Sequence, residues 1–350
     1  MFEDLLPAWG GEEVVVRFDE PGATWMFVCV HSTVLGPGAG GTRLKVYAEA
    51  RDALQDGLRL SSAMTSKNAM AGLPLGGGKA VLAVPEIPTG ERRRDMFLRY
   101  GELVESLHGT YRTACDMNTS SVDMDVVGER SSFVFARTEA AGGSGTSAPA
   151  TAVGVFTGLR AAVAHAFGTD DLAGRTVAVQ GVGAVGEPLA RQLADHGARL
   201  VLTDVEDVRA KELAQALNAE TAGTEEIYDA ECDVFAPCAT GGVLSAETIP
   251  RLRCRVVAGA ANNQLAEPGD ADRLAERGIL YAPDYVVNAG GIIHLASLEM
   301  LGEDLAARDE RLRGIGDTLT EVFALAERRG ISTAAAADAI VEERLAAGGA

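Results

Sequence analysis

The chain has 350 residues, 47% of them hydrophobic, which is enough to bury a large core and to form two domains rather than one. Its 31 lysines and arginines against 50 aspartates and glutamates give a formal charge of -19, which argues against a broad nucleic-acid surface. The five cysteines form no CxxC unit, the start MFEDLLPAWGGEE lacks the basic and apolar regions of a signal peptide, and no apolar stretch comes near a membrane span. A cytoplasmic protein with buried free thiols and no membrane partner is expected.

In chain order, VVVRF and WMFVCVH read as strands, and residues 49–64 carry Ala53, Leu54, Leu58 and Leu60 at mostly helical spacing. GPGAGGTR, residues 36–43, is glycine rich but lacks the lysine and hydroxyl pair of a phosphate-binding P-loop. GLPLGGGKAV, residues 72–81, sets Lys79 directly behind three glycines. Glycine gives up backbone entropy, so such a run predicts close approach of something to the main chain. KAVLAV then reads as a buried strand, RRDMFLRYGELVESL as a helix, and YRTACD as a short strand running into Asp116.

AAGGSGTSAP, residues 140–149, suits a linker or a binding loop, and PATAVGVFTGLRAAVAHAF a helix with Pro149 in its first turn. From residue 172 onward TVAVQG, ARLVLTD, CDVFAPC, RVVAGAA and ILYAPDYVV alternate with helical runs, the cadence of a parallel, doubly wound sheet. The closing helices, DERLRGIGDTLTEVFALAERRG and TAAAADAIVEERLAAGG, are amphipathic and suit packing. The expected fold is α/β with two domains separated by a catalytic cleft: substrate binding and oligomerisation in 1–145, a Rossmann-type dinucleotide domain in 146–325, and helices in 326–350 returning to the first domain.

Gly181, Gly183 and Gly186 form G-x-G-x-x-G immediately after the predicted strand TVAVQ. The first glycine permits a tight turn, the second close approach of a pyrophosphate, and the third close helix packing; the helix N-terminus then offers free N–H groups to phosphate. The next strand ends at Asp204, near the spacing of a carboxylate that binds an adenosine ribose, which favours NAD over NADP. Arg209 complicates that choice only weakly from the following helix, and Pro188 is tolerable only in a first helical turn.

Lys67 and Lys79 lie on either side of a glycine- and proline-broken reversal that could bring both into one cleft. There one could pair with a carboxylate while the other loses its proton to burial and neighbouring charge. Asp116 could shuttle protons beside them, with Asp123 and Asp125 as alternatives. Asn262, Asn263 and Asn288 follow apolar runs and could close the cleft. His31, His108, His165, His196 and His294 are dispersed without metal-ligand spacing, so no metal site is expected.

These segments resemble one family. MTSKNAMAGLPLGGGK, CDMNTSSVDMD, PATAVGV, GVGAVG, GAANNQL and PDYVVNAGG occur in the order found in the glutamate, leucine, valine and phenylalanine dehydrogenases. The resemblance implies NAD-dependent deamination of an amino acid to a 2-oxo acid and ammonia by a homo-oligomer. It implies that Lys67 holds the substrate α-carboxylate, that Lys79 is the key amine and that Asp116 takes part in proton transfer. It places Thr151, Ala184, Val185, Ala239 and Asn262 with the glycines and Asp204 along the cofactor, and Asn262 and Asn288 also at the substrate.

The mapped side-chain pocket, Ala39, Gly40, Ile292 and Leu295, has no partner for a glutamate carboxylate, so an apolar substrate is expected. Small Ala39, with similarity in GGSGTSAPATAVGVF and GIGDTLTEVF, points to the phenylalanine branch; Ile292 points instead to leucine, isoleucine or valine. Phenylalanine is the leading expectation, a branched-chain substrate the close alternative and a catalytically silent NAD-binding module the remote one.

Overall fold

The computed structural model describes residues 4–349. They form two compact units, one made of residues 4–146, 295–303 and 341–349, the other of 147–294 and 304–340.

The first unit is built on strands β1 (Glu13–Asp19), β2 (Thr24–Ser32), β3 (Gly38–Lys45), β4 (Gly76–Ala83) and β5 (Tyr111–Cys115) in the order β1-β2-β4-β3-β5. β1 and β2 run antiparallel, as do β2 and β4, whereas β3 is parallel to both β4 and β5. Successive strand residues point to opposite faces. Met26, Val28, Leu44, Ala80 and Leu82 therefore meet Phe97, Tyr100 and Val104 of the Gly90–Glu105 helix on one face. Phe27, Cys29 and Val81 meet Ala53, Leu54 and Leu58 of the Ala50–Met70 helix on the other.

GPGAGGTR contributes most of β3. The three glycines before Lys79 begin β4, and what approaches them is the protein itself. A Cβ at Gly77 would lie 2.0 Å from Thr65 Oγ1, at Gly76 1.8 Å from the Ser32 carbonyl oxygen, and at Gly78 2.6 Å from the Tyr111 ring. The helix carrying Lys67 packs onto the strand carrying Lys79 at a distance only glycine allows.

The second unit holds β6 (Thr176–Gln180), β7 (Arg199–Thr203), β8 (Glu220–Thr221), β9 (Val234–Pro237), β10 (Val256–Val257) and β11 (Leu280–Tyr281), all parallel, in the order β11-β10-β9-β6-β7-β8. The order reverses direction between β6 and β9, the switch point where such sheets bind ligands. ILYAPDYVV, expected as one strand, is β11 followed by a short helix, Asp284–Val287, because Pro283 ends the extended run; Asn288 follows that helix rather than a strand.

The Ala148–Phe167 helix is long and apolar enough to cross a membrane by length and composition, which corrects the expectation that no stretch comes near a span. Half of that apolar window is buried, and the helix packs against the Leu305–Arg329 helix as a core element does.

Candidate active site

In the first unit, strand alternation puts Lys79 on the face of Val81, towards the Ala50–Met70 helix, and Arg43 on the corresponding face of β3. Asp116 follows directly on β5 and reaches the same place. Lys79 Nζ stands 3.1 Å from Asp116 Oδ1, and Arg43 Nε donates to Asp116 Oδ2 at 2.8 Å. The aspartate is fixed from its own strand end as well, where its N–H donates to Thr119 Oγ1 at 2.8 Å.

Lys79 is only 5% exposed. Burial pushes its amine down from the ordinary lysine value, Asp116 opposes by charge and hydrogen bond, and Arg43 adds to the lowering; the outcome is a lowered pKa. The neighbouring positive charge that lowers it is the guanidinium of Arg43. Burial also pushes the Asp116 carboxyl up, but Lys79 and Arg43 outweigh it and hold the carboxyl well below the usual carboxylate range. The pair therefore combines a permanent anion with an amine disposed to lose its proton.

Lys67 lies half-buried in the last turn of the Ala50–Met70 helix. Gly72, in the left-handed region at φ 62, turns the chain back towards β4. Ala39 is fully buried in β3, and a Cβ at neighbouring Gly40 would sit 1.9 Å from the Gly78 carbonyl oxygen, so β3 and β4 touch there. Leu295 is buried in this unit.

The alternatives to Asp116 have structural occupations. Asp123 completes a capping box with Ser120 at the Ser121–Gly128 helix and accepts from Arg93 Nε and Nη2 at 2.7 and 2.8 Å. Asp125 accepts from the Thr138 N–H and hydroxyl at 2.9 and 2.7 Å.

In the second unit the glycine fingerprint follows β6 as expected. Gly181 has φ +94, and a Cβ there would meet Ala239 Cβ at 2.7 Å; one at Gly186 would lie 1.9 Å from the Gly181 carbonyl oxygen. At Gly183 it would meet nothing within 4 Å. The first and third glycines thus serve the turn and the helix, and the second leaves open space. Val182, Gly183 and Ala184 line a cavity of about 450 Å³ with Glu187, Pro188, Arg191 and Arg209. Val185 is the N-cap of the Gly186–Asp195 helix, and Pro188 falls in its first turn.

Asp204 follows β7, where its Oδ2 accepts from the Val182 N–H at 2.9 Å, which ties it to the glycine turn. Arg209, a weak candidate from sequence, has Nη1 3.7 Å from Asp204 Oδ1.

Asn288 Nδ2 donates to the Ala260 carbonyl at 3.1 Å and to Asn262 Oδ1 at 2.9 Å, while its own Oδ1 is buried with no hydrogen-bond partner. Asn263, with φ 52, receives the Gly242 N–H on its carbonyl at 2.7 Å, a turn role. Thr151 belongs to the first turn of the Ala148–Phe167 helix, and a Cβ at Gly291 would come 2.9 Å from its hydroxyl. Thr151 and the first turn of the Gly290–Glu299 helix are thus neighbours, with buried Ile292 next in the chain. Among the described residues no group of three or more His, Cys, Asp or Glu could hold a metal ion.

The open second glycine, the carboxylate after the second strand and the orphaned Asn288 oxygen fit a dinucleotide with a polar ring to receive. Fold and site together define a two-domain, dinucleotide-dependent α/β oxidoreductase.

Comparison with known proteins resolves the class further. Residues 19–132 match the family described as Glu/Leu/Phe/Val dehydrogenase, dimerisation domain, and residues 142–208 and 202–338 match Glutamate/Leucine/Phenylalanine/Valine dehydrogenase. The chain belongs to this family and is an NAD-dependent amino-acid dehydrogenase that carries out oxidative deamination of an apolar amino acid.

The chain is 44% identical over 342 residues to the leucine dehydrogenase of Thermoactinomyces intermedius, covering 98% of this chain and 93% of that protein. It is 45% identical over 339 residues to the valine dehydrogenase of Streptomyces virginiae, covering 96% and 94%. Its fold matches the crystal structure of L-tryptophan dehydrogenase from Nostoc punctiforme with a TM-score of 0.85 at 37% identity, covering 99% of each chain. These relatives correct the expectation of a phenylalanine-type enzyme. Short local similarities carried that expectation, and they are outweighed by identity along almost the whole chain.

Proposed function

We propose that the chain catalyses the reversible, NAD-dependent oxidative deamination of a branched-chain L-amino acid, leucine or valine, to its 2-oxo acid and ammonia. The observation that carries this reading is full-length identity to leucine and valine dehydrogenases in a chain with a buried Lys79–Asp116 pair. In the unit that carries Lys79, buried Leu295 supplies aliphatic surface, and burying an unpaired glutamate carboxylate against it would be costly.

The ammonium of Lys67 holds the substrate carboxylate. Bound NAD supplies the hydride acceptor. Lys79, as a free amine, takes a proton from the water that attacks the imine carbon, and Asp116 stabilises the ammonium that results. The same pair returns a proton to the departing nitrogen as the carbinolamine collapses, and ammonia leaves. The unpaired oxygen of Asn288 accepts a hydrogen bond from the bound reactants, with Asn262 fixing its orientation, while Thr151 and Ala239 line the cofactor. Residues 1–145 provide substrate binding and assembly, 146–325 the cofactor site, and the chain acts as a homo-oligomer.

A panel of leucine, valine, isoleucine, phenylalanine and glutamate, read by NADH formation and ammonia release, tests the reading. Highest kcat/KM for leucine or valine is expected; preference for glutamate or phenylalanine, or no turnover by folded, NAD-binding protein, overturns it. Light scattering tests the assembly, and a monomer at working concentration would exclude a homo-oligomer.

A further inference from the structure

Arg43 and Asp56 have no part in the reaction as described so far, yet they are wired into it. Arg43 reaches two carboxylates with one guanidinium: Nε donates to Asp116 Oδ2 and Nη1 to Asp56 Oδ2, each at 2.8 Å. Asp56, from the Ala50–Met70 helix, also accepts from the Tyr47 hydroxyl at 2.7 Å and from Arg59 Nη2 at 2.9 Å. The side chains of Arg43 and Asp56 are each only 15% exposed. A continuous polar chain thus runs from Tyr47 and Arg59 through Asp56, Arg43 and Asp116 to Lys79.

We propose that Arg43 and Asp56 are positioning residues for the acid–base pair: Arg43 turns the Asp116 carboxylate so that Oδ1 faces Lys79 and adds positive potential there, and Asp56 limits that potential. The proposal rests on the reading of Lys79 as the base. Geometry supports the first half, because a guanidinium pinned at both ends leaves Asp116 little rotational freedom. Charge supports the second. The carboxylates of Asp56 and Asp116 match the guanidiniums of Arg43 and Arg59, and guanidiniums keep their protons. The ammonium of Lys79 is the surplus charge in the cluster and also its most enclosed member.

The other titratable groups around Lys79 do not change this balance. Cys29 is its partner on β2 and Cys115 precedes Asp116; burial pushes both thiols up to about 12, so both are neutral. The Tyr47 phenol is pushed up as well. His31 on β2, lowered by burial, is hydrogen-bonded to Thr65 and Ser62. Lys67 lies on the same helix as Asp56 and is left in place by the variants below.

The test compares Arg43→Gln, Arg43→Lys and Asp56→Asn by the pH dependence of kcat/KM for oxidative deamination. In parallel, the pH dependence of Lys79 acetylation by acetic anhydride is measured by mass spectrometry on unliganded full-length protein. Arg43→Gln is expected to raise both midpoints by about one pH unit, and Asp56→Asn to lower both by about half a unit. Arg43→Lys keeps the charge but loses the fork, so kcat should fall at least about 10-fold with a smaller midpoint shift than Arg43→Gln.

Opposite shifts in the Gln and Asn variants are not produced by general loosening of the fold. Shifts in the same direction, or no shift, overturn the proposal; if Arg43→Gln does not fold, the direction in Asp56→Asn decides. The labelling midpoints report on Arg43 and Asp56 whatever Lys79 does in the reaction. Normal turnover in Lys79→Ala would instead remove the reading of Lys79 as base.

Discussion

Asn288 and Asn262 meet side chain to side chain, Nδ2 to Oδ1 at 2.9 Å, and this leaves the buried Asn288 Oδ1 without a donor. A buried carbonyl oxygen left unpaired costs about 1–3 kcal/mol, a cost that a ligand N–H can recover on binding. Asn288→Ala is therefore expected to lower kcat/KM about 10–100-fold with little change in thermal stability. Unchanged kinetics would remove Asn288 from the site.

Lys79→Ala is expected to lower kcat by about 10³-fold while NADH binding, followed by fluorescence, stays within a few-fold. The acidic limb of the wild-type profile should lie below the ordinary lysine range, because burial and Arg43 both disfavour the ammonium. The sign is fixed by the chemistry: the free amine is the active form, so activity rises with pH through the lowered lysine pKa. A wild-type midpoint near 10.4 would contradict the buried-base reading.

Two glycines of one fingerprint should respond differently to the same methyl group. Gly186→Ala drives a Cβ to 1.9 Å from the Gly181 carbonyl oxygen and is expected to cost about 1–3 kcal/mol of stability. Gly183→Ala meets open space, so its melting temperature should match wild type while its NAD Kd rises. Equal affinity for NAD in Gly183→Ala would show that the cofactor does not come close to that turn.

Asp123 provides a contrast to Asp116. Burial raises its carboxyl, but Arg93 and the Ser120 contacts outweigh this and hold it below the usual range. The stabilisation is present above the unfolded carboxyl value, about pH 4, and is lost as pH falls through the lower folded value. Asp123→Asn should cost about 1–3 kcal/mol at pH 7 in urea unfolding, a difference that shrinks in acid, with kcat changed little. A large loss of kcat in a folded variant would return Asp123 to the catalytic site.

What could be read from sequence was whatever local periodicity and motif spacing encode. TVAVQ and ARLVLTD are β6 and β7, and the glycine fingerprint and Asp204 sit at their ends because each feature is set by a few adjacent residues. The close approach at the glycines before Lys79 is legible in the sequence, but its partners, Thr65 and Tyr111, are not, because they are fixed by tertiary packing. Arg43 was missed altogether. It was visible only as the end of GPGAGGTR, and its bond to Asp116 spans 73 residues, a relationship no spacing rule expresses. The phenylalanine expectation failed similarly, because short matching stretches do not describe a whole pocket.

The first unit is assembled from three stretches of chain, the last of them residues 341–349. There Arg344 donates to the carbonyls of Ala69 and Met70, each at 3.0 Å, at the end of the helix that bears Lys67. The helix that bears Lys67 therefore receives its final clasp only after the residues of the second unit have been made. Loss of the Arg344 guanidinium would thus be felt near Lys67, some 275 positions upstream.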